Sequence, residues 1–172
     1  QDGSLGWIGI ANIPSSCFAA AYLPEEGFNA VFTANNNRVT MGGQFFPNGM
    51  GDKVDGGYRV TGAWQFGSGT GHSEYVCAGF LPMDSGQMVM ADAVMPLMLV
   101  AIVPREQVIF TDGWHVQGLK GTGSYDYELK DVFVPASHTY PLMTRAPLRG
   151  GAMYKFGVMP LTGCGHAAWA LG

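Results

Sequence analysis

The chain has 172 residues, 47% of them hydrophobic, which is enough for one domain with a core of its own. Its formal net charge of −4, pI near 5.4 and absence of any Lys/Arg cluster exclude a nucleic-acid or acidic-membrane partner, either of which needs a basic face to displace counterions. Only 13% of residues are charged, while 26 glycines and 10 prolines point to short strands and many turns rather than long solvated helices.

Three cysteines, Cys17, Cys77 and Cys164, are odd in number and far apart, so they form neither a disulfide framework nor a metal-ligand pair, and a reducing cytoplasm is the expected setting. The longest apolar run, 93 to 103, contains Pro96 and falls well short of the roughly 20 residues that a spanning helix needs. The chain opens on Gln1 with no secretory pattern, and it reads as a piece of something longer.

In chain order, residues 5 to 32 read as helix, interrupted at Pro14 and again at Pro24, where Glu25 and Glu26 mark a new start. Short segments rich in β-branched and aromatic residues follow: 38–46, 57–64, 74–80, 97–104 and 107–116. Asp55, Gly56 and Gly57 supply a tight hairpin turn. In the stretch 124–135, Tyr125, Tyr127 and Leu129 alternate with Asp126, Glu128 and Lys130, the pattern of a half-buried strand. After Pro160 the small apolar sequence LTGCGHAAWALG predicts a helix. The expected fold class is α+β, a mostly antiparallel β-barrel or sandwich flanked by helical segments. Its divisions are a helical end at 1–37, a central β-domain at 38–145, and a linker with the start of a helical bundle at 146–172.

Two glycine clusters carry the functional reading. WQFGSGTG (64–71) has GxGxG rather than GxGxxG and leads into a strand, not a helix, so it is not a dinucleotide fingerprint; no Lys-Ser/Thr pair follows to make a Walker loop. A turn between strands and the wall of a ligand pocket both stay open. Period two puts Trp64, Phe66 and Ser68 on one face, where two flat side chains and a hydroxyl would line a planar ligand. In GLKGTGS (118–124), Gly121, Thr122, Gly123 and Ser124 offer small side chains and free amides for a close approach, or again a turn. His72, His115, His138 and His166 stand singly and read as structural or surface residues. The HxE at His72 lacks the cysteine pair of a zinc deaminase, and no GxSxG elbow is present.

Taken together, GGYRVTGAWQFGSGTGHSEYV and WHVQGLKGTGSYDYELKDVFVP resemble the central β-domain of the acyl-CoA dehydrogenase-like flavoproteins. They resemble most the oxygenase component of two-component flavin-dependent monooxygenases, the group of hydroxyphenylacetate hydroxylase and the dibenzothiophene-type oxygenases. GSLGW is similar to the end of that family's N-terminal helical domain, and GHAAWALG to the opening of its C-terminal bundle. The resemblance implies a homotetramer that receives reduced FMN or FAD from a separate flavin reductase. Through a C4a-hydroperoxide it would transfer one oxygen atom of O2 to an aromatic or electron-rich small molecule.

The same resemblance implies that Phe46 and Pro47 lie on the strand and loop at the flavin, that Trp64 and Phe66 wall its ring, and that Ser68 is catalytic, bonding near N5 or the peroxide. Gly69, Thr122, Gly123 and Ser124 would be further flavin contacts or, for the hydroxyls, contacts to a neighbouring subunit. No metal is implied. The family's catalytic histidine, or the glutamate base of an acyl-CoA dehydrogenase, is implied to lie beyond residue 172, and the first helix, IANIPSSCFAAAY, lacks the histidine many relatives carry there. An FAD-dependent acyl-CoA dehydrogenase and a non-catalytic β-barrel binding or scaffold module are the alternatives.

Overall fold

A computed structural model describes residues 2–111 and 113–171. Helix α1 (Gly3–Tyr22) starts on Asp2, whose carboxylate accepts the N–H groups of Ser4 and Leu5 at 2.8 and 3.3 Å. The expected interruption at Pro14 does not occur, and α1 runs through it. Proline there removes one backbone donor and crowds the carbonyl four residues back. The turns beyond it are held by packing instead, because Phe18, Ala19, Ala21 and Tyr22 are all buried in the core. The break at Pro24 is real: α2 (Glu25–Val31) begins directly after it, with both glutamates in the first turn, where the helix dipole favours them.

The central region is one open sheet. Its strands are β1 (Met41–Val54), β2 (Gly57–Gly67), β3 (Tyr75–Asp84), β4 (Gln87–Met88), β5 (Leu99–Pro104), β6 (Ile109–Thr111), β7 (Tyr125–Pro135) and β8 (Thr139–Pro141). The order is β6-β7-β2-β1-β3-β5-β8, with β4 on the end of β3. Every pair is antiparallel except β1–β3, so the sheet is mixed and mostly antiparallel, and it does not close into a barrel. The turn at Asp55 and Gly56 joins β1 to β2 with Val54 opposite Gly57, and Gly56 takes the positive φ of 75° that this turn demands.

β1 and β6 depart most from their expected lengths. β1 continues past Phe46 to Val54, and it passes Pro47 where its register against β3 shifts between Gln44 and Gly49. A residue with no N–H fits a strand at such a bulge, where no ladder bond is lost. β6 is only three residues long; Asp112, in the middle of the expected strand, lies outside the described residues, and 113–116 is loop.

Each face of the sheet buries a core. Met41, Cys77, Val100, Ile102 and Tyr140 pack against Phe18, Ala19 and Tyr22 of α1 and Val31 of α2. On the other face, Val60, Trp64, Tyr127 and Leu129 from β2 and β7 share one cluster with Val76, Phe80, Ala101 and Val103 from β3 and β5. The sheet therefore coils around this second cluster. Trp64 is its largest member, and two glycines paired across β1 and β2 make room for it: a Cβ on Gly49 would stand 2.6 Å from the indole, and one on Gly62 2.7 Å from it. Helix α3 (Val158–Leu171) lies against α1 through Trp7, whose ring meets Trp169 edge-on at 4.9 Å. Among the described residues, no helix is long and apolar enough to cross a membrane.

Candidate active site

The ends of α1, β1, β2 and α3 and the loop before β7 enclose a cavity of about 750 Å³. That volume is in the range of small-molecule and cofactor sites. Its walls are mostly apolar, and three of its polar side chains, the hydroxyls of Ser68, Thr122 and Ser124, gather in one cluster. Ser68 lies more than fifty residues from the other two in sequence, yet Ser68 and Ser124 Oγ are 2.8 Å apart and Ser124 Oγ is 2.7 Å from Thr122 Oγ1. The Gly69 N–H donates to the Thr122 carbonyl at 3.0 Å and ties the end of β2 to the loop before β7.

Six of the residues expected at a flavin line this cavity: Phe46, Pro47, Phe66, Ser68, Thr122 and Ser124. Three do not. Trp64 does not share a face with Phe66 and Ser68, because Phe66 takes a positive φ of 60° and the β2–β7 register shifts between Trp64 and Gly67, which breaks the period of two. Its indole is fully buried in the second core, stacked on Tyr127 at 5.3 Å and 14°, and its N–H donates to the carbonyls of Gly79 at 3.0 Å and Phe46 at 3.3 Å. Gly69 and Gly123 also lie off the cavity. Both hold positive φ, 75° and 50°, and serve the turns that bring the hydroxyls together. A side chain on Gly69 would collide with Asn12 of α1.

Several lining residues were missed in sequence. Phe66 meets Trp114 edge-on at 6.1 Å and 81°, so the loop after β6 supplies a second aromatic wall. Trp7, from α1, lines the cavity and donates its indole N–H to Ser68 Oγ at 2.8 Å. His166 stands on α3 at the rim, 5.2 Å from the Trp7 ring and nearly perpendicular to it. Its Nδ1 lies 2.8 Å from the Thr162 carbonyl. A carbonyl only accepts, so the hydrogen bond assigns a proton to Nδ1 and leaves Nε2 as the nitrogen free to exchange one. One tryptophan near each end of the chain, Trp7 and Trp169, was the available signal, but nothing local shows that residues 7 and 166 meet. Among the described residues, no group of His, Cys, Asp or Glu is placed to hold a metal ion.

A coiled mixed sheet between helical flanks, with an aromatic-walled cavity and a single hydroxyl cluster beside the strand ends, has the fold of the acyl-CoA dehydrogenase-like flavoproteins. Within that class, the homologues and structural neighbours of the chain are oxygenase components of two-component flavin-dependent monooxygenases. The chain is 33% identical over 154 residues to the oxygenase component of the FADH2-dependent resorcinol hydroxylase of a Rhizobium species, covering 88% of this chain and 36% of that protein. It is 34% identical over 138 residues to HsaA, an oxygenase subunit from Rhodococcus jostii, covering 77% and 32%.

Among solved structures, the HsaA monooxygenase from Mycobacterium tuberculosis matches 93% of this chain and 42% of its own, with a TM-score of 0.78 and 26% identity. XiaF from a Streptomyces species, solved with FADH2 and glycerol, matches 81% and 33% with a TM-score of 0.70 and 26% identity. No protein-family model matches the chain. The chain spans 24% to 36% of the length of the curated relatives it matches.

Proposed function

We propose that this chain forms the flavin- and substrate-binding core of an oxygenase component that hydroxylates an aromatic or similarly electron-rich small molecule. A flavin reductase would supply the reduced FMN or FAD, and O2 is the co-substrate. The observation that carries the reading is the cavity itself: mostly apolar, walled by aromatic rings, with a cluster of three hydroxyls in its wall, in a chain whose relatives are flavin-dependent oxygenases. When bound, reduced flavin supplies the electrons with which O2 is activated for transfer of one oxygen atom.

The chain's own residues have four tasks. Phe66 and Trp114 give the ring system flat faces to lie against, and the hydroxyl cluster at Ser68 fixes its polar edge. Phe46, Pro47 and Trp7 keep water from the reacting atoms. His166 Nε2 takes up the proton of a substrate hydroxyl as oxygen is transferred, since its other nitrogen is engaged with Thr162. The aromatic wall and the cluster fit an isoalloxazine ring, and no charged side chain in the wall has to be neutralised to admit one.

The helical end 1–37, central domain 38–145 and bundle start 146–172 are the proposed divisions. A homotetramer, implied by the resemblance, and a reducing cytoplasm, supported by three free cysteines, complete the reading. Anaerobic titration with reduced FMN and FAD tests it. Wild-type protein should bind at least one of them, and Trp114→Ala should weaken binding by about tenfold or more, as for loss of a stacked aromatic worth ~1.5 kcal/mol. Absence of binding by the full-length protein refutes the proposal.

A further inference from the structure

The hydroxyl cluster has a direction, and it follows from counting protons. Thr122 Oγ1 lies 2.9 Å from the Leu119 carbonyl, Ser124 Oγ lies 2.7 Å from Thr122 Oγ1, and Ser68 Oγ lies 2.8 Å from Ser124 Oγ. These three contacts have three hydroxyl protons to share. A carbonyl oxygen carries none, so the contact at Leu119 must use the proton of Thr122. The next contact then has only the proton of Ser124, and the last only that of Ser68. Any other assignment leaves two oxygen lone pairs facing each other at hydrogen-bond distance, a costly arrangement for groups as buried as these. Trp7 meets Ser68 from the other side with a group that can only donate. Ser68 therefore keeps a lone pair for the cavity and no proton.

We infer that Ser68 meets its ligand as an obligate hydrogen-bond acceptor, and that Thr122 and Ser124 are positioning residues that enforce this polarity through the hydrogen bonds of the cluster. The ligand's identity rests on the flavin reading above. Reduction of an isoalloxazine ring puts a proton on N5, where the oxidised ring carries a lone pair. With that edge of the ring against Ser68, an acceptor favours the reduced ring and repels the oxidised one. The loop that holds Leu119 in place thus makes the site sensitive to the oxidation state of the flavin.

The discriminating quantity is the ratio of dissociation constants for oxidised and reduced FMN, measured by anaerobic titration, together with the midpoint potential of the bound flavin. In wild type the ratio should exceed one. Thr122→Val leaves Ser124 no acceptor but Ser68, and Ser124→Ala removes the acceptor altogether; each frees the Ser68 proton to turn into the cavity. Each should lower the ratio about five- to tenfold, the effect of one hydrogen bond gained or lost. The potential of bound flavin should fall by about 20–30 mV in step, since a tenfold change is ~30 mV for a two-electron couple. Thr122→Ser keeps the hydroxyl and should give the wild-type ratio. If FMN binds and the ratio in Thr122→Val and Ser124→Ala equals that of wild type, the inference is overturned while the flavin reading stands. If wild-type protein binds FMN in neither state, the flavin reading falls and this inference with it.

Discussion

Trp64→Phe tests the separation between the core of the sheet and the cavity wall. The phenyl ring keeps the stack on Tyr127 but has no N–H, so the carbonyls of Gly79 and Phe46 lose their donor. A buried acceptor left without a partner costs about 1–3 kcal/mol. The missing part of the indole is worth about two methylene groups at ~0.8 kcal/mol each. The sum is about 3 kcal/mol, which in a chain of this size lowers the melting temperature by roughly 6–12 °C. Thermal unfolding followed by circular dichroism gives that number, and flavin titration of the folded variant should give the wild-type affinity. Phe66→Ala should do the reverse: the ring is 59% exposed, so stability should change by less than about 0.5 kcal/mol while flavin affinity drops. A Trp64→Phe protein with unchanged melting temperature and lost flavin affinity would put the indole in the cavity and refute the geometry.

Two further outcomes follow from local environments. Desolvation pushes the pKa of half-buried His138 below the ordinary histidine value, against smaller opposing effects from the Ile102 backbone and Glu26. The unfolded chain therefore takes up the proton first as pH falls, so stability present above about pH 6.5 should be lost on acidification through the lowered folded pKa. Melting temperature against pH should show this loss, and His138→Gln should flatten it. Burial pushes the Cys77 thiol up to about 12, whereas Cys164 is exposed. Alkylation at pH 8 followed by mass spectrometry should label Cys164 in the native protein and Cys77 only after unfolding.

Much of the sheet was legible because its signals are local. The Asp55-Gly56 turn and the alternation along 125–129 need no information from elsewhere in the chain, and both appear where they were expected. What escaped reading depends on partners distant in sequence. Pro47 looks like the end of a strand until the register shift against β3 shows the bulge that admits it. β4 and β8, with two and three residues, exist only through pairing to β3 and β5. In WQFGSGTG the glycines drew attention as the residues able to take positive φ, but one of the strained positions is Phe66, and that reversal sends Trp64 into the core and Phe66 to the cavity. Strain of about 1–3 kcal/mol in a bulky residue is kept where surrounding structure over-determines it, and here the residue is a wall of the candidate site. Six of the nine expected site residues line the cavity, and so does His166, which local sequence gave no reason to place there because its neighbour Trp7 lies at the other end of the chain.

The two-residue turn between β1 and β2 also bears on the order in which the molecule assembles. That hairpin closes a minimal loop, whereas pairing β2 to β7 must bring Gly57 to Pro135, and each longer closure carries a greater entropy cost before any contact repays it. Ser68 lies just past the end of β2, and Thr122 and Ser124 just before β7, so their junction can form only once the long-range pairing is in place. A ligand that recognises the completed junction binds the native chain and not its partly assembled forms. At a hundred times its dissociation constant it would add about 2.7 kcal/mol to the apparent stability.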